Sequence, residues 1–232
     1  PAWPERSGVD TGPAGPPLSP LAAAAICVLC ALSGVYYAFF AAYLLFIAGI
    51  HGSYHRAPPA PLYGALLLIG ILAGTVLASN ISVFMFLAEF GPNPDPPDRF
   101  PVDAEFFAFK MVRLFLPIDD RGIPFLVNLR NDYSFSWNAG EPMGPDRIYT
   151  DYLGVAALIG FVFLLYVLAR PGGERRDESP FRALASLNIF AFLYGTVGGF
   201  GAFFAFIVSP TIRSVNRISI VLAFLGLAAL GM

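Results

Sequence analysis

Two arginines, Arg213 and Arg217, stand four residues apart in "IVSPTIRSVNRISIVLAF", between a proline and an apolar run. Residues four apart share a helical face, so both guanidiniums can be aimed at one place. A guanidinium is a planar fork of donors that grips a phosphate with two parallel hydrogen bonds. A helix starting here adds unpaired amides and the positive end of its dipole, and Asn216 adds a side-chain amide. Arg213, Arg217 and Asn216 are therefore the candidate residues for binding a donor phosphate. The competing explanation is that arginines at a membrane edge snorkel to lipid headgroups.

The second set of chemistry-bearing residues is acidic. Glu89, Asp95, Asp98, Asp103, Glu105, Asp119, Asp120, Glu141 and Asp146 lie in or beside the stretch 91–150. One to three converging carboxylates would hold a divalent metal or supply a general base. Spacing does not say which converge, and a solvated loop position is the ordinary fate of each. Glu89 differs, because it follows "SVFMFL" at the end of an apolar run, where an unpaired carboxylate is costly. Glu89, Glu105, Lys110 and Arg121 are the candidates for shaping a substrate site. Tyr133 and Trp137 could stack on a sugar ring or anchor the loop at the membrane surface. No metal site and no cofactor is assigned, although a divalent metal is compatible with these carboxylates. His51 and His55 are four apart but have no third ligand nearby, and read as part of a solvated turn. Cys27 and Cys30 lie three apart inside "AAAICVLCAL"; with no second cysteine pair they read as helix packing rather than a four-thiolate site.

The elements that must position these residues are membrane helices. Hydrophobic residues make up 56% of the 232-residue chain and charged residues 13%, against roughly 25% charged in a soluble domain. The net charge of −2 gives no electrostatic footprint for nucleic acid. Apolar runs cover 21–50, 62–90, 152–168 and 183–208, and a fifth begins after Arg217. The expected fold is an all-α, polytopic integral membrane protein with about five transmembrane helices. It forms one membrane domain over 1–232, with a long extracytoplasmic loop at 91–150. The first run is long for one span. It is either a single tilted helix or two half-helices broken at Ser33–Gly34. In the fourth run, Gly195, Gly198, Gly199 and Gly201 let helices approach or irregular backbone line a cavity. They are no dinucleotide fingerprint, since no strand precedes them. Inside the long loop, "DAEFFAFKMVRLFLP" mixes apolar and charged residues and reads as an amphipathic helix lying at the interface.

Arginine placement sets the orientation. Arg170, Arg175, Arg176 and Arg182 cluster around one short loop, which is expected to be cytoplasmic. Alternation puts "HGSYHRAPPAP" on the same side, and the loop 91–150 and the arginine pair on the other. The long loop carries nine acidic and six basic residues, a balance that an outer loop tolerates. An outward arginine pair runs against the positive-inside bias and wants an anionic partner. The chain opens on Pro1 and closes on Met232, after an apolar run of roughly 14 residues, short of the ~20 needed to span. A portion of a longer polytopic chain is expected.

The stretches "GPNP…DRFPVDAEFFAFKMVRLFLP", "DYLGVAALIGFVFLL" and "GTVGGFGAFFAFIVSPTIRSVNRISIVLAF" together resemble polytopic membrane glycosyltransferases of the GT-C type. Among these the chain is most similar to the YfhO-like lineage of membrane sugar or phosphoglycerol transferases. The resemblance covers the chain from about Leu21 onward. It implies a bacterial inner-membrane parent of ten or more spans and a polyprenyl-phosphate-linked donor used on the outer face. It also implies that Arg217 or Arg213 meets the donor phosphate, and that the catalytic acid lies in a first outer loop this sequence does not contain. Catalytic residues are thus unknown here. Where the lineage is expected to carry a His-Arg pair, this sequence reads "DDRG", keeping Arg121 without a histidine for proton transfer. The implied reaction is inverting displacement at an anomeric carbon, with the two arginines neutralising charge on the leaving phosphate. The alternatives are a lipid-linked saccharide transporter or flippase, and a non-catalytic membrane scaffold. The scarcity of ionisable residues in mid-span weighs against transport.

Overall fold

The apolar runs contain Ala, Leu, Ile and Phe without internal prolines, and in the computed structural model they are helices. The structure describes residues 18–55, 60–117, 123–138, 151–170 and 180–232. Among them there is no strand, only an isolated parallel bridge between Phe109 and Thr196.

The first run is two helices, α1 (Pro20–Leu32) and α2 (Val35–His55). Ser19 accepts the Ala22 N–H, and Pro20 takes the first helical position, where its missing donor costs nothing. Gly34 sits at φ 138°, a conformation that interrupts a helix and that side-chain-bearing residues rarely adopt. Beyond it the chain folds back. α1 packs on both α2 and α3 (Ala60–Ser79), with Cys27, Ala31, Ala38 and Leu72 in one buried cluster. α2 and α3 have 21 and 20 residues, about 30 Å each. They are long and apolar enough to cross a membrane, and most of their surface faces outward.

The second run also breaks. The Asn80 side chain donates to the Val76 carbonyl at 2.8 Å, competing with the backbone for that acceptor. A separate helix follows, α4 (Ile81–Phe90), with every residue exposed.

The stretch 103–117 is not the interfacial amphipathic helix expected. It forms α5 (Val102–Phe106), an extended residue at Phe109 and a 3-10 turn over Met111–Leu114. The reason is visible on a helical wheel. At about 100° per residue, Phe106, Phe107, Phe109, Met111, Val112 and Leu114 spread round the whole cylinder, so no dry face exists. The chain instead unwinds and pushes Ala104, Ala108, Phe109 and Leu114 into the core. Phe109 donates its N–H to the Gly195 carbonyl at 2.9 Å and accepts the Val197 N–H at 3.2 Å. Further along the same loop lies a helix that the sequence did not announce, α6 (Pro124–Asn138).

The remaining helices are α7 (Val155–Ala169), α8 (Pro180–Gly195), α9 (Phe200–Ile207) and α10 (Ser219–Gly231). The glycine-rich fourth run is therefore broken at 196–199, where Gly198 takes φ 70°. α7 and α10 cross with Gly160 against Gly226. Leu164, Ala185, Leu225 and Ala229 share one cluster toward the far end of α7, while Gly195 lies beside Ile218 at the near end. α8 thus runs opposite to α7 and α10. It runs opposite to α2 as well. Tyr43 donates to the Phe190 carbonyl at 3.0 Å, and the Phe40 ring meets Tyr194. α2, α7 and α10 therefore begin, and α8 ends, at one end of the bundle. There the loop segment 101–117 meets the arginine-bearing segment 209–218, the association that the sequence suggested.

Candidate functional site

The arginine-bearing segment takes its shape from three buried apolar residues at intervals of three. Ile212, Val215 and Ile218 point into the core, and Val215–Ile218 forms a 3-10 turn in which residues three apart eclipse. The intervening polar residues are left at the rim. Arg213 is not helical, so Arg213 and Arg217 do not share a helical face as expected. Each has its own partner.

Arg213 Nη1 lies 3.3 Å from Asp103 Oδ2. Its guanidinium carbon is 5.6 Å from the centre of the Phe107 ring. Asp103 is itself held in place, since its Oδ2 accepts the Phe100 N–H at 3.2 Å. Arg217 is exposed and lies over the Tyr36 ring, at the start of α2, with its guanidinium carbon 4.8 Å from the centroid. Among the described residues Arg217 has no carboxylate partner. Asn216 is held at two points: its backbone N–H donates to the Phe107 carbonyl and its Nδ2 to Asp151 Oδ1, both at 3.2 Å. Glu105 Oε2 accepts the Gly198 N–H at 2.8 Å. Asp103 and Glu105, two residues apart on α5, thus each hold part of the segment 198–213.

Asp151 is the residue that sequence reasoning missed. It precedes α7 and is 4% exposed. Burial pushes its carboxyl above the ordinary carboxylate range, while the Asn216 hydrogen bond and the Arg113 charge pull it back. A signal was present in "TDYLG", since an acid opening an apolar run invites the same argument that singled out Glu89. Asp151 is too enclosed to meet a substrate; it fixes the Asn216 amide and, through it, the turn that carries Arg217.

The other expected residues divide. Glu105 is drawn into the cluster. Glu89 is exposed on α4, and no described contact joins it to Arg213, Asn216 or Arg217. Lys110 is half-buried beside Phe109, and Tyr133 is half-buried on α6. Arg121, Asp119, Asp120, Glu141 and Asp146, and the side chain of Trp137, lie outside the described residues. Asp95 and Asp98 are exposed, with the Asp95 N–H turned onto Asn93 Oδ1. His51 is half-buried on α2, and the His55 side chain lies outside the described residues. Among the described residues no three His, Cys, Asp or Glu side chains gather as a metal site would need.

At this rim Arg217 has no carboxylate beside it among the described residues, Arg213 is held by a single carboxylate contact, and Glu105 accepts the backbone amide of Gly198. Compared with known proteins, the chain matches no family model, no curated protein and no solved structure.

Proposed function

We propose that this chain is the donor-binding part of a polytopic membrane transferase of the GT-C type. It moves a sugar or related group from a polyprenyl-phosphate-linked donor on the outer face of the bacterial inner membrane. The observation that carries the reading is Arg217. It is exposed at the end of an apolar bundle and lies over the Tyr36 ring, with no carboxylate partner among the described residues. A guanidinium stacked on a ring keeps its in-plane N–H donors for an anion. As the bond to the anomeric carbon breaks, charge grows on the lipid phosphate, and a cation fixed beforehand lowers that barrier. Asn216 and Asp151 hold the turn in register, so Arg217 does not have to be ordered during the reaction. In this reading the loop 91–150 is extracytoplasmic and the shorter apolar helices complete the membrane domain around α2 and α3.

The test follows transfer from labelled polyprenyl-phosphate sugars by the full-length protein in membranes. Arg217→Ala is expected to lower transfer by about a hundredfold, the scale of losing one electrostatic stabiliser, at unchanged protein level. Arg217→Lys, which keeps charge but loses the fork, should fall in between. Equal transfer by wild type and Arg217→Ala refutes the role. Donor binding without transfer in the wild type would identify a transporter instead.

A further inference from the structure

The two carboxylates of α5 occupy the positions that a phosphate would use. Asp103 sits on the Arg213 guanidinium and Glu105 on the Gly198 amide. Both of those donors bind anions of any kind. We propose that α5 is an internal anionic stopper: it fills this part of the site in the unliganded chain and lifts away when a phosphate-bearing ligand arrives. The inference rests on reading the arginine segment as a phosphate site.

Three features fit displacement. The lock is weak. Arg213 meets Asp103 through one nitrogen at 3.3 Å, with 36% and 23% of the two side chains exposed, and such pairs lie at the feeble end of the range. No other hydrogen bond from Arg213 is made among the described residues. A phosphate offers several oxygens at once and can take the paired grip that Asp103 does not. The stopper is also easily removed. α5 has five residues, too few for a helix to hold itself together, and the only residue it buries is the small Ala104. Finally, it has a natural hinge. The Phe107 carbonyl accepts the Asn216 N–H, and Phe109, just beyond, is fully buried and tied by two backbone hydrogen bonds to 195–197, so 102–106 can lift while the chain from Phe107 onward stays anchored.

The two arginines then differ in role. Arg217 meets the ligand first, because no carboxylate among the described residues opposes it. Arg213 joins once Asp103 leaves. An incoming phosphate must compete with the internal carboxylate, so its apparent affinity is reduced by the fraction of molecules that are stoppered.

The experiment measures binding of geranyl phosphate, and separately of inorganic phosphate, to the purified full-length protein in nanodiscs. Asp103→Asn keeps an acceptor for the Phe100 N–H but removes the charge; it is expected to bind geranyl phosphate about fivefold more tightly than wild type. Glu105→Gln should shift in the same direction, and the double variant further. Arg217→Ala should weaken binding. Hydrogen exchange in the wild type supplies a readout independent of any substitution: saturating ligand should speed exchange across 102–106. Binding that Arg217→Ala weakens, with Asp103→Asn and Glu105→Gln unchanged or weaker and 102–106 protected, overturns the stopper and leaves the phosphate site standing. The absence of any binding sensitive to Arg217 overturns both. Inorganic phosphate matching geranyl phosphate in potency and response supports the stopper but makes the ligand a free anion rather than a lipid.

Discussion

A methyl group placed on Gly160 would have nowhere to go. Its carbon would lie 2.8 Å from Gly226 Cα and closer still to the Gly226 carbonyl. Carbon atoms rest at about 3.5–4.0 Å, so α7 and α10 would have to part by roughly 1 Å. The obstacle is backbone, and no rotamer change relieves it. Parting the helices loosens Ala157, Phe161, Leu164, Leu222 and Leu225, all buried. Overpacking of this kind costs about 3 kcal/mol at the upper end of its usual range. The better helix propensity of alanine returns about 1 kcal/mol, leaving a net loss of about 2 kcal/mol for Gly160→Ala. Gly226→Ala meets the same crossing from the other side, where its methyl would press on the Ala157 carbonyl carbon and the Phe161 nitrogen, each at 3.1 Å. Once one methyl has separated the helices, the second enters space already opened. The double variant should therefore lose at least ~1 kcal/mol less than the sum of the single losses, a coupling expected only for groups in contact. Equilibrium unfolding of the full-length protein by SDS titration in mixed micelles, followed by circular dichroism, measures all three. Single variants within about 0.5 kcal/mol of wild type, or additive losses, would refute a backbone-to-backbone crossing at these glycines.

Asp151 carries a pH signature of defined sign. Its carboxyl is raised above the ordinary 3.8 by burial, so the native chain holds this proton where the unfolded chain has released it. Stability from this group accordingly falls as pH rises through the window that opens at 3.8. Asp151→Asn keeps an oxygen for Asn216 and should flatten the slope of melting temperature against pH there; an unchanged slope would exclude Asp151 as its source. Asn188 on α8 is fully buried, and neither atom of its amide has a hydrogen-bond partner among the described residues. Asn188→Leu, close to isosteric, should stabilise the chain by about 1–2 kcal/mol by removing that desolvated amide, and a loss in the same SDS titration would show that the amide is satisfied.

Legibility followed the range of the physics. The helical runs could be read because outward-facing and core-facing residues are both apolar, which leaves long uncharged segments whatever the packing. The break at Ser33–Gly34 was open to reading because glycine there removes the barrier to positive φ. The break at Asn80 is also local, a side chain taking a carbonyl one turn back, yet a single Asn in an apolar run is weak evidence by itself. The unwinding at 196–199 needs Phe109, some 90 residues earlier, to accept and donate its two hydrogen bonds, and no local pattern encodes that pairing. The arginine segment stood out because charge at the edge of an apolar run is conspicuous. Its partner Asp103 did not, because nine loop acids competed for notice and 110 residues separate Asp103 from Arg213.

Glu89 and Asp151 show what decided between similar signals. Both are acids beside apolar runs, and both are costly there unless paired or wet. Glu89 is exposed, on a helix that buries nothing. Asp151 is dry and holds Asn216. Asp151 feels the Arg113 charge and takes the Asn216 amide, and Arg217, next along the chain, has no carboxylate partner among the described residues. That arrangement costs stability, because burial raises the Asp151 carboxyl by disfavouring its charged form. What the cost secures is geometry: Asn216 is pinned at both its backbone and its side chain, and the neighbouring guanidinium sits at the rim with no carboxylate partner among the described residues. The pairing of Asp151 with Asn216 rather than with Arg217 is therefore part of what leaves this guanidinium without a carboxylate among the described residues.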